Sequence, residues 1–144
     1  MATTMLPVFQ NTLTKTSAWL DEINNILNWD DPQTAWKALR AVLHTLRDQL
    51  SVEEATDLSA QLPMLVRGLF FEGWNPARKT ERIRTIEKFV ELVNKEFNEM
   101  DFRDYLEKED ITRAVLTVLA EHVSAGEIKD IVRSLPKPLA DLWD

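Results

Sequence analysis

The sequence contains no cysteine, which excludes disulfide bridges, cysteine-ligated zinc, iron–sulfur clusters and a thiol nucleophile. Glycine is also scarce, with 3 residues among 144, and so few helix breakers favour helix over sheet. No hydrophobic run is long enough to cross a bilayer, and the first residues do not resemble a signal peptide. These absences indicate a cytoplasmic protein without a membrane segment.

Positive charge is in the minority throughout the chain, which has a net charge of −7. Residues 1–74 hold 5 Lys or Arg against 9 Asp or Glu, and residues 75–144 hold 12 against 15. Because neither half is basic, no binding to nucleic acid is expected. A short basic cluster at Arg78, Lys79, Arg82 and Arg84 is interpreted as a solvated surface.

Apolar residues make up 44% of the chain, enough for a globular core, and they recur every three or four residues. The first helix is predicted from Pro7 to about Asn28, with this apolar stripe: Phe9, Leu13, Thr16, Leu20, Ile23 and Leu27. Asp31 is interpreted as the N-cap of a second helix and Pro32 as its first residue. Its predicted buried face is Trp36, Leu39, Val42, Leu43, Leu46 and Leu50.

Later helices are bounded by equally local signals. Ser51 and Glu54 form a capping box that starts a third helix, and Pro63 breaks it before a fourth at residues 64–71. A fifth helix follows the loop at residues 73–76, and a short one is predicted around Tyr105. The apolar ladder of the fifth helix is Ile83, Ile86, Val90, Val93, Phe97 and Met100. The last two segments have Ile111, Val115, Val118, Leu119 and Val123, then Ile128, Ile131, Leu135, Leu139 and Leu142.

Two stretches of the chain match without a gap when residues 40–70 are placed on residues 113–143. They share 11 identical residues over 31 positions. The capping box coincides with a second one at Ser124 and Glu127, and the break before Pro63 coincides with one before Pro136. A cap, a break and an apolar ladder in one register favour internal duplication over chance similarity.

The predicted fold is all-α, a single domain over residues 1–144 with about eight helices in two related halves. The first helical repeat is predicted at residues 1–74 and the second at residues 75–144. Each half alone has a small apolar face, so the two faces are expected to pack together and form the core.

Several segments resemble a bacterial family catalogued as domain of unknown function 2267. In the first half they are residues 36–50, 60–68 and 71–76; in the second they are residues 113–116 and 122–128, with Leu135-Pro136 and Leu142-Trp143. The resemblance covers nearly the whole chain. It implies a small helical cytoplasmic protein and no activity. Family members often have more glycine and proline after the tryptophan loop, whereas this chain is expected to enter a helix quickly.

The two histidines are the first candidates for chemistry. His44 and Asp48 share a helical face and could bind a metal or a proton together. A contact on the helix surface is favoured, because zinc usually needs three or four protein ligands. His122 lies near a helix C-terminus, where the dipole favours a cation. No phosphate-binding or catalytic motif is present, and neither a cofactor nor a metal is expected.

The loop around Trp74 provides the best candidates for binding. Trp and Arg are enriched in binding hot spots, so Trp74 and the preceding Arg67 could anchor a partner. In the alternative that we favour, Gly73 ends a helix and Trp74 closes the core between the halves. The candidate binding residues are Arg67, Phe70, Phe71, Gly73, Trp74, Pro76 and Phe89.

Three functions stay open at this stage. The first is a non-catalytic interaction or adaptor module that binds a protein partner or a second copy of itself. The second is a small-ligand sensor with an apolar pocket between the halves, lined by Phe70, Phe71, Trp74 and Phe89. The third, and the least favoured, is an enzyme that uses His44, Asp48 and Arg67.

Overall fold

The structure, a computed structural model, describes residues 5–78, 80–99 and 108–144, with the backbone alone at residues 98, 99 and 108. Within these residues the chain forms seven α-helices, one 3-10 helix and no strand. The elements are α1 Pro7–Leu27, α2 Pro32–Arg47, α3 Val52–Ser59, α4 Met64–Phe71, α5 Ile86–Glu99, α6 Lys108–His122, α7 Ala125–Ser134 and the 3-10 helix Lys137–Trp143. The all-helical prediction is confirmed. The predicted helix around Tyr105 and the apolar position Met100 lie outside the described residues.

Helix α1 begins and ends as the sequence predicts, but the first half of its apolar stripe is exposed. Pro7 is its first residue, and Asn28 ends it in the left-handed conformation with φ of 61°. Phe9 and Leu13 are 51% and 43% exposed. The buried side chains of α1 are Thr16, Trp19, Ile23 and Asn24. A period of 3.6 residues shows which face of a helix is apolar, but not how much of it the domain covers.

Helix α2 lies at the centre of the domain, in contact with α1, α4, α5 and α6. Asp31 caps it as predicted, accepting a hydrogen bond from the Gln33 amide at 3.0 Å. Trp36 and Leu50, at the ends of the predicted face, are only partly buried. The four large side chains between them are fully buried: Leu39, Val42, Leu43 and Leu46. Each contributes about 1.5–3 kcal/mol by leaving water.

The two serine caps differ in one hydrogen bond. Ser51 forms the complete predicted capping box with Glu54. Ser124 accepts from the Glu127 amide at 3.2 Å, but its own N–H donates to Gln61 Oε1 at 2.7 Å. The predicted second box is therefore only half correct, because Gln61 takes the place that the Glu127 carboxylate was expected to fill.

Helix α5 begins later than the sequence predicts. Its first residue is Ile86, and residues 80–84 before it are not helical. Ile83 is nevertheless buried, and its N–H donates to Gln49 Oε1 at 2.8 Å. The expected rapid entry into a helix is wrong, because the Gln49 side chain binds a backbone group that a helix would use internally. Within α5 the buried residues are Phe89, Val93 and Phe97.

The C-terminal helices complete a single core. Helix α6 contacts α1, α2 and α5, and the 3-10 helix packs on α6 and α7. The predicted apolar positions of these segments are buried, apart from Ile128, which is partly so. One hydrophobic cluster takes side chains from all eight described helices, so the chain is a single domain. No described helix is both long and apolar enough to span a bilayer.

Helices α3 and α7, which the proposed duplication relates, lie in contact with each other. The shift of 73 residues places Glu54 on Glu127 and Asp57 on Asp130. All four carboxylates line one open hollow between the two helices. The duplication, and with it the division at residue 74, stays a prediction.

Candidate functional site

A cleft of about 550 Å³ lies between α1 and the junction of α3 with α4. Its lining residues come from α1, from the turn at residues 60–64 and from two side chains beyond them, Arg67 and His122. On α1 the lining residues are Val8, Asn11, Thr12, Lys15, Ala18 and Trp19. His122 is the contribution of the C-terminal half of the chain to this lining, so the cleft spans the two halves.

Two residues of the cleft lining, Trp19 and His122, form an aromatic pair. Trp19 is 1% exposed, and its ring stacks on the imidazole of His122 with centroids 4.8 Å apart and planes 19° from parallel. His122 Nε2 lies 2.6 Å from Glu22 Oε2. Since an ionised carboxylate can only accept, Nε2 carries the hydrogen of this bond. The stack and the hydrogen bond tie the end of α6 to α1.

Arg67, a candidate from the sequence, lies at the edge of the cleft and holds its wall in place. Its Nε donates to the Ser59 carbonyl at 2.9 Å, and its Nη2 donates to the Leu62 carbonyl at 3.3 Å. Both acceptors belong to the end of α3 and the turn after it, where helix carbonyls lack internal partners. Both acceptors of the Arg67 guanidinium are neutral carbonyls. Arg67 and Lys15 thus bring two positive charges to the lining of the cleft.

An apolar surface, here called the apolar face, adjoins the cleft. It consists of seven large side chains that are 40–55% exposed: Met5, Leu6, Val8, Phe9, Leu13, Met64 and Leu65. The first five precede or begin α1, and the last two begin α4. None of residues 7–15 is buried, although all nine are helical. This part of α1 therefore extends past the core and presents its apolar side chains to solvent.

Thr12 fixes α1 against α4 within the apolar face. Its hydroxyl accepts a hydrogen bond from the Leu65 amide at 3.0 Å. Helix α4 starts after Pro63 and has no side-chain cap of its own, so Thr12 satisfies an amide that would otherwise lack a partner. A second hollow of about 650 Å³, between α1, α2 and α4, is lined by these residues: Phe9, Thr12, Trp36, Arg40, Met64, Leu65, Gly68, Leu69 and Glu72.

The end of α4 is held by three side chains of α2, none of which the sequence identified in this role. His44 Nε2 donates to the Leu69 carbonyl at 2.7 Å, and Arg47 Nη1 donates to the Phe70 and Glu72 carbonyls, both at 2.9 Å. Arg40 Nε binds the Glu72 carboxylate at 2.8 Å and, through this hydrogen bond and its charge, lowers the pKa of Glu72. The only signal in the sequence for this role was the spacing of Arg40, His44 and Arg47, which places the three side chains on one face of a helix.

The three residues of the enzyme hypothesis have separate partners. His44 is buried against α4, with Nδ1 3.6 Å from Glu96 Oε1. Asp48 Oδ1 accepts from Arg47 at 3.0 Å. Arg67 binds the end of α3, as described above. The Asp48 amide donates to the His44 carbonyl at 3.1 Å within α2, but no described contact joins the side chains of any two of the three. No group of three or more His, Asp or Glu side chains within residues 5–78, 80–99 and 108–144 is placed to hold a metal.

The loop after α4 places its aromatic residues against the core. Gly73 has φ of 71°, a conformation that glycine adopts without strain. The Phe71 ring lies 5.1 Å from the Trp74 ring and 5.2 Å from the Phe70 ring, between centroids. Phe70 and Phe89 are fully buried, whereas Trp74 is partly buried and Pro76 is exposed. Of the seven candidate binding residues, Arg67 lines the cleft and the others do not.

The hollow between α3 and α7 concentrates negative charge. Burial raises the pKa of Glu127, and repulsion from Asp57, Asp130 and Glu54 raises it further. In the unfolded chain Glu127 is solvated and lies far from Glu54 and Asp57, so the folded protein binds the Glu127 proton more tightly. Ionisation of Glu127 therefore opposes folding.

We expect Glu127→Gln to stabilise the protein at pH 7 by about 0.5 kcal/mol, the scale of exposed charge pairs. The gain is absent well below pH 4.5, the ordinary pKa, where Glu127 is protonated in both states, and it grows as the pH rises through and above that value. Urea unfolding at pH 3 and pH 7 measures it. Glu121→Gln, on an exposed position of α6, is the control. A gain that is equal at both pH values would contradict this account.

A comparison with models of protein families identifies the family of this chain. The model of the family described as uncharacterized conserved protein (DUF2267) matches residues 16–142, and the chain belongs to this family. No curated protein matches the sequence. The match begins at residue 16, so the exposed part of α1 precedes the segment that the family model covers.

Proposed function

We propose that this member of the family is a non-catalytic interaction module of the bacterial cytoplasm, which binds an apolar protein segment on the apolar face. One observation carries the proposal: residues 7–15 are helical without a single buried side chain, although Val8, Phe9 and Leu13 are among them. Helices in proteins are stabilised mainly by packing of an apolar face. An uncovered apolar face on a helix is typical of a binding surface.

The apolar face is also fixed in shape before any partner arrives. The hydrogen bond from the Leu65 amide to Thr12 joins its two helices, and Arg67 holds the turn between α3 and α4. A preformed surface loses little conformational entropy on binding. These contacts therefore support a binding role for the face.

A photoreactive amino acid at position 9, in the protein expressed in its own host, tests the proposal. We expect cross-links from position 9 to a protein. The matched control is position 52, because Val52 on α3 is 52% exposed and Phe9 is 51% exposed. Equal cross-linking from both positions, or none from position 9, would count against the apolar face as the binding surface.

A small-ligand sensor is a second candidate, favoured by the cleft. Its volume of about 550 Å³ is in the range of ligand sites, and Lys15 and Arg67 lie beside apolar walls. The lining suits an anion with an apolar body. Octanoate is expected to change tryptophan fluorescence in the wild type and to bind more weakly to Lys15→Gln than to Lys129→Gln. Equal binding to both variants would remove the support that Lys15 gives this candidate.

A further inference from the structure

We infer that the partner on the apolar face is a second copy of this chain, so that the protein forms a twofold dimer through α1 and the start of α4. This inference rests on the proposed function and adds the identity of the partner. It is carried by charge, by area and by the shape of the surface beside α1.

The charge argument starts from the net charge of −7, which makes two copies repel each other over most of their surfaces. In a twofold dimer the same patch meets itself, so a patch with an excess of one charge sign faces an identical patch that repels it. Residues 5–14 and 58–66 contain no charged side chain. The apolar face is thus a surface on which this acidic chain can meet itself without repulsion.

The area of the apolar face is close to what a dimer needs. An aromatic side chain buries roughly 150–250 Å², and the lower end of that range suits Met, Leu and Val, so the seven side chains, which are 40–55% exposed, amount to about 500 Å². A standard interface buries about 800 Å² on each partner, of which about 55–65% is apolar, or roughly 450–520 Å². The face therefore supplies the whole apolar share of such an interface.

The shape of the surface offers a place for the exposed turns of α1. Leu6, Phe9 and Leu13 are spaced three and four residues apart and so form one ridge. Beside the ridge lies the hollow of about 650 Å³ between α1 and α4, with Met64 and Leu65 in its lining. The charged residues of this lining, Arg40 and Glu72, are paired with each other at 2.8 Å and so add no net charge. Ridge and hollow are adjacent, so a twofold axis can place each ridge in the hollow of the other copy.

Sedimentation equilibrium of the full chain, from about 1 to 200 μM, tests the dimer. We expect the wild-type mass to rise from 16.7 kDa towards twice that value. Phe9→Glu is expected to weaken association at least tenfold, on the order of a single interface hot spot. Phe9 is the third residue of α1, where glutamate is favoured by the helix dipole, so this variant should fold. Val52→Glu is the matched control and should associate like the wild type.

Two results would overturn the dimer: a mass of 16.7 kDa at every concentration, or equal effects of Phe9→Glu and Val52→Glu on association. The proposed function fails separately. If the protein stays monomeric while position 9 cross-links to a different protein in cells, the interaction module stands and the identity of its partner is wrong. If position 9 cross-links to nothing, the binding surface itself is wrong.

Discussion

Trp19→Ala is expected to lower the free energy of unfolding by about 3–5 kcal/mol, the range for removing a buried aromatic side chain. Trp19 is 1% exposed, and its ring stacks on His122. Its truncation leaves a cavity between α1 and α6 and removes the wall of the cleft. Since a domain of this size is stabilised by about 5–15 kcal/mol, the loss is a large part of the total.

The matched comparison is Phe9→Ala, on the same helix. The apolar stripe read from the sequence includes Phe9 but not Trp19, so it ranks the two variants in the opposite order. With Phe9 51% exposed, we expect a loss of about 0.5 kcal/mol in dilute protein, as for a surface substitution. Urea unfolding followed by circular dichroism measures both. Equal losses from the two variants would show that the first turns of α1 belong to the core.

Arg47→Met is expected to lower the free energy of unfolding by roughly 2–4 kcal/mol, the scale for breaking a buried, hydrogen-bonded charge. The Arg47 side chain is 3% exposed, and Nη1 binds the carbonyls of Phe70 and Glu72. Methionine fills much of the space but donates no hydrogen bond. It leaves these carbonyls without that donor and Asp48 without its nearest cation.

The control for Arg47 is Arg84→Met, because Arg84 is exposed on the segment before α5. It should change stability by less than about 0.5 kcal/mol. Hydrogen exchange adds a local readout: in Arg47→Met the amides of α4 should exchange faster than those of α7. If Arg47→Met is as stable as Arg84→Met, the side chains of α2 do not hold the end of α4.

Much of the fold follows from local signals in the sequence. The cap at Asp31, the box at Ser51 and the break at Pro63 each depend on residues within four positions, and the structure confirms all three. The centre of the predicted face of α2 is also correct, because this helix is packed against four others and its apolar stripe is buried there whichever way it faces.

The failures of prediction all involve partners that are distant in sequence. The second capping box is completed by Gln61, which is 63 residues from Ser124, and the start of α5 is delayed where Gln49 binds the Ile83 amide. Periodicity placed Phe9 in the apolar stripe of α1 but gave no sign that it is exposed, because an exposed apolar stripe has the same pattern as a buried one. The candidate site was for this reason only partly predictable. Arg67 was selected from the sequence because arginine is enriched in binding hot spots. The cleft could not be predicted, because its lining depends on the contact between His122 and Trp19, which are distant in sequence.

Hydrogen–deuterium exchange of α1 at two protein concentrations tests the central claim most directly, that the start of this helix is a binding surface for a second copy. The account predicts that raising the concentration slows amide exchange at residues 11–15 and leaves exchange at residues 19–27 of the same helix unchanged. Equal protection along the whole helix, unchanged by concentration, would contradict it and place the first turns of α1 in the core.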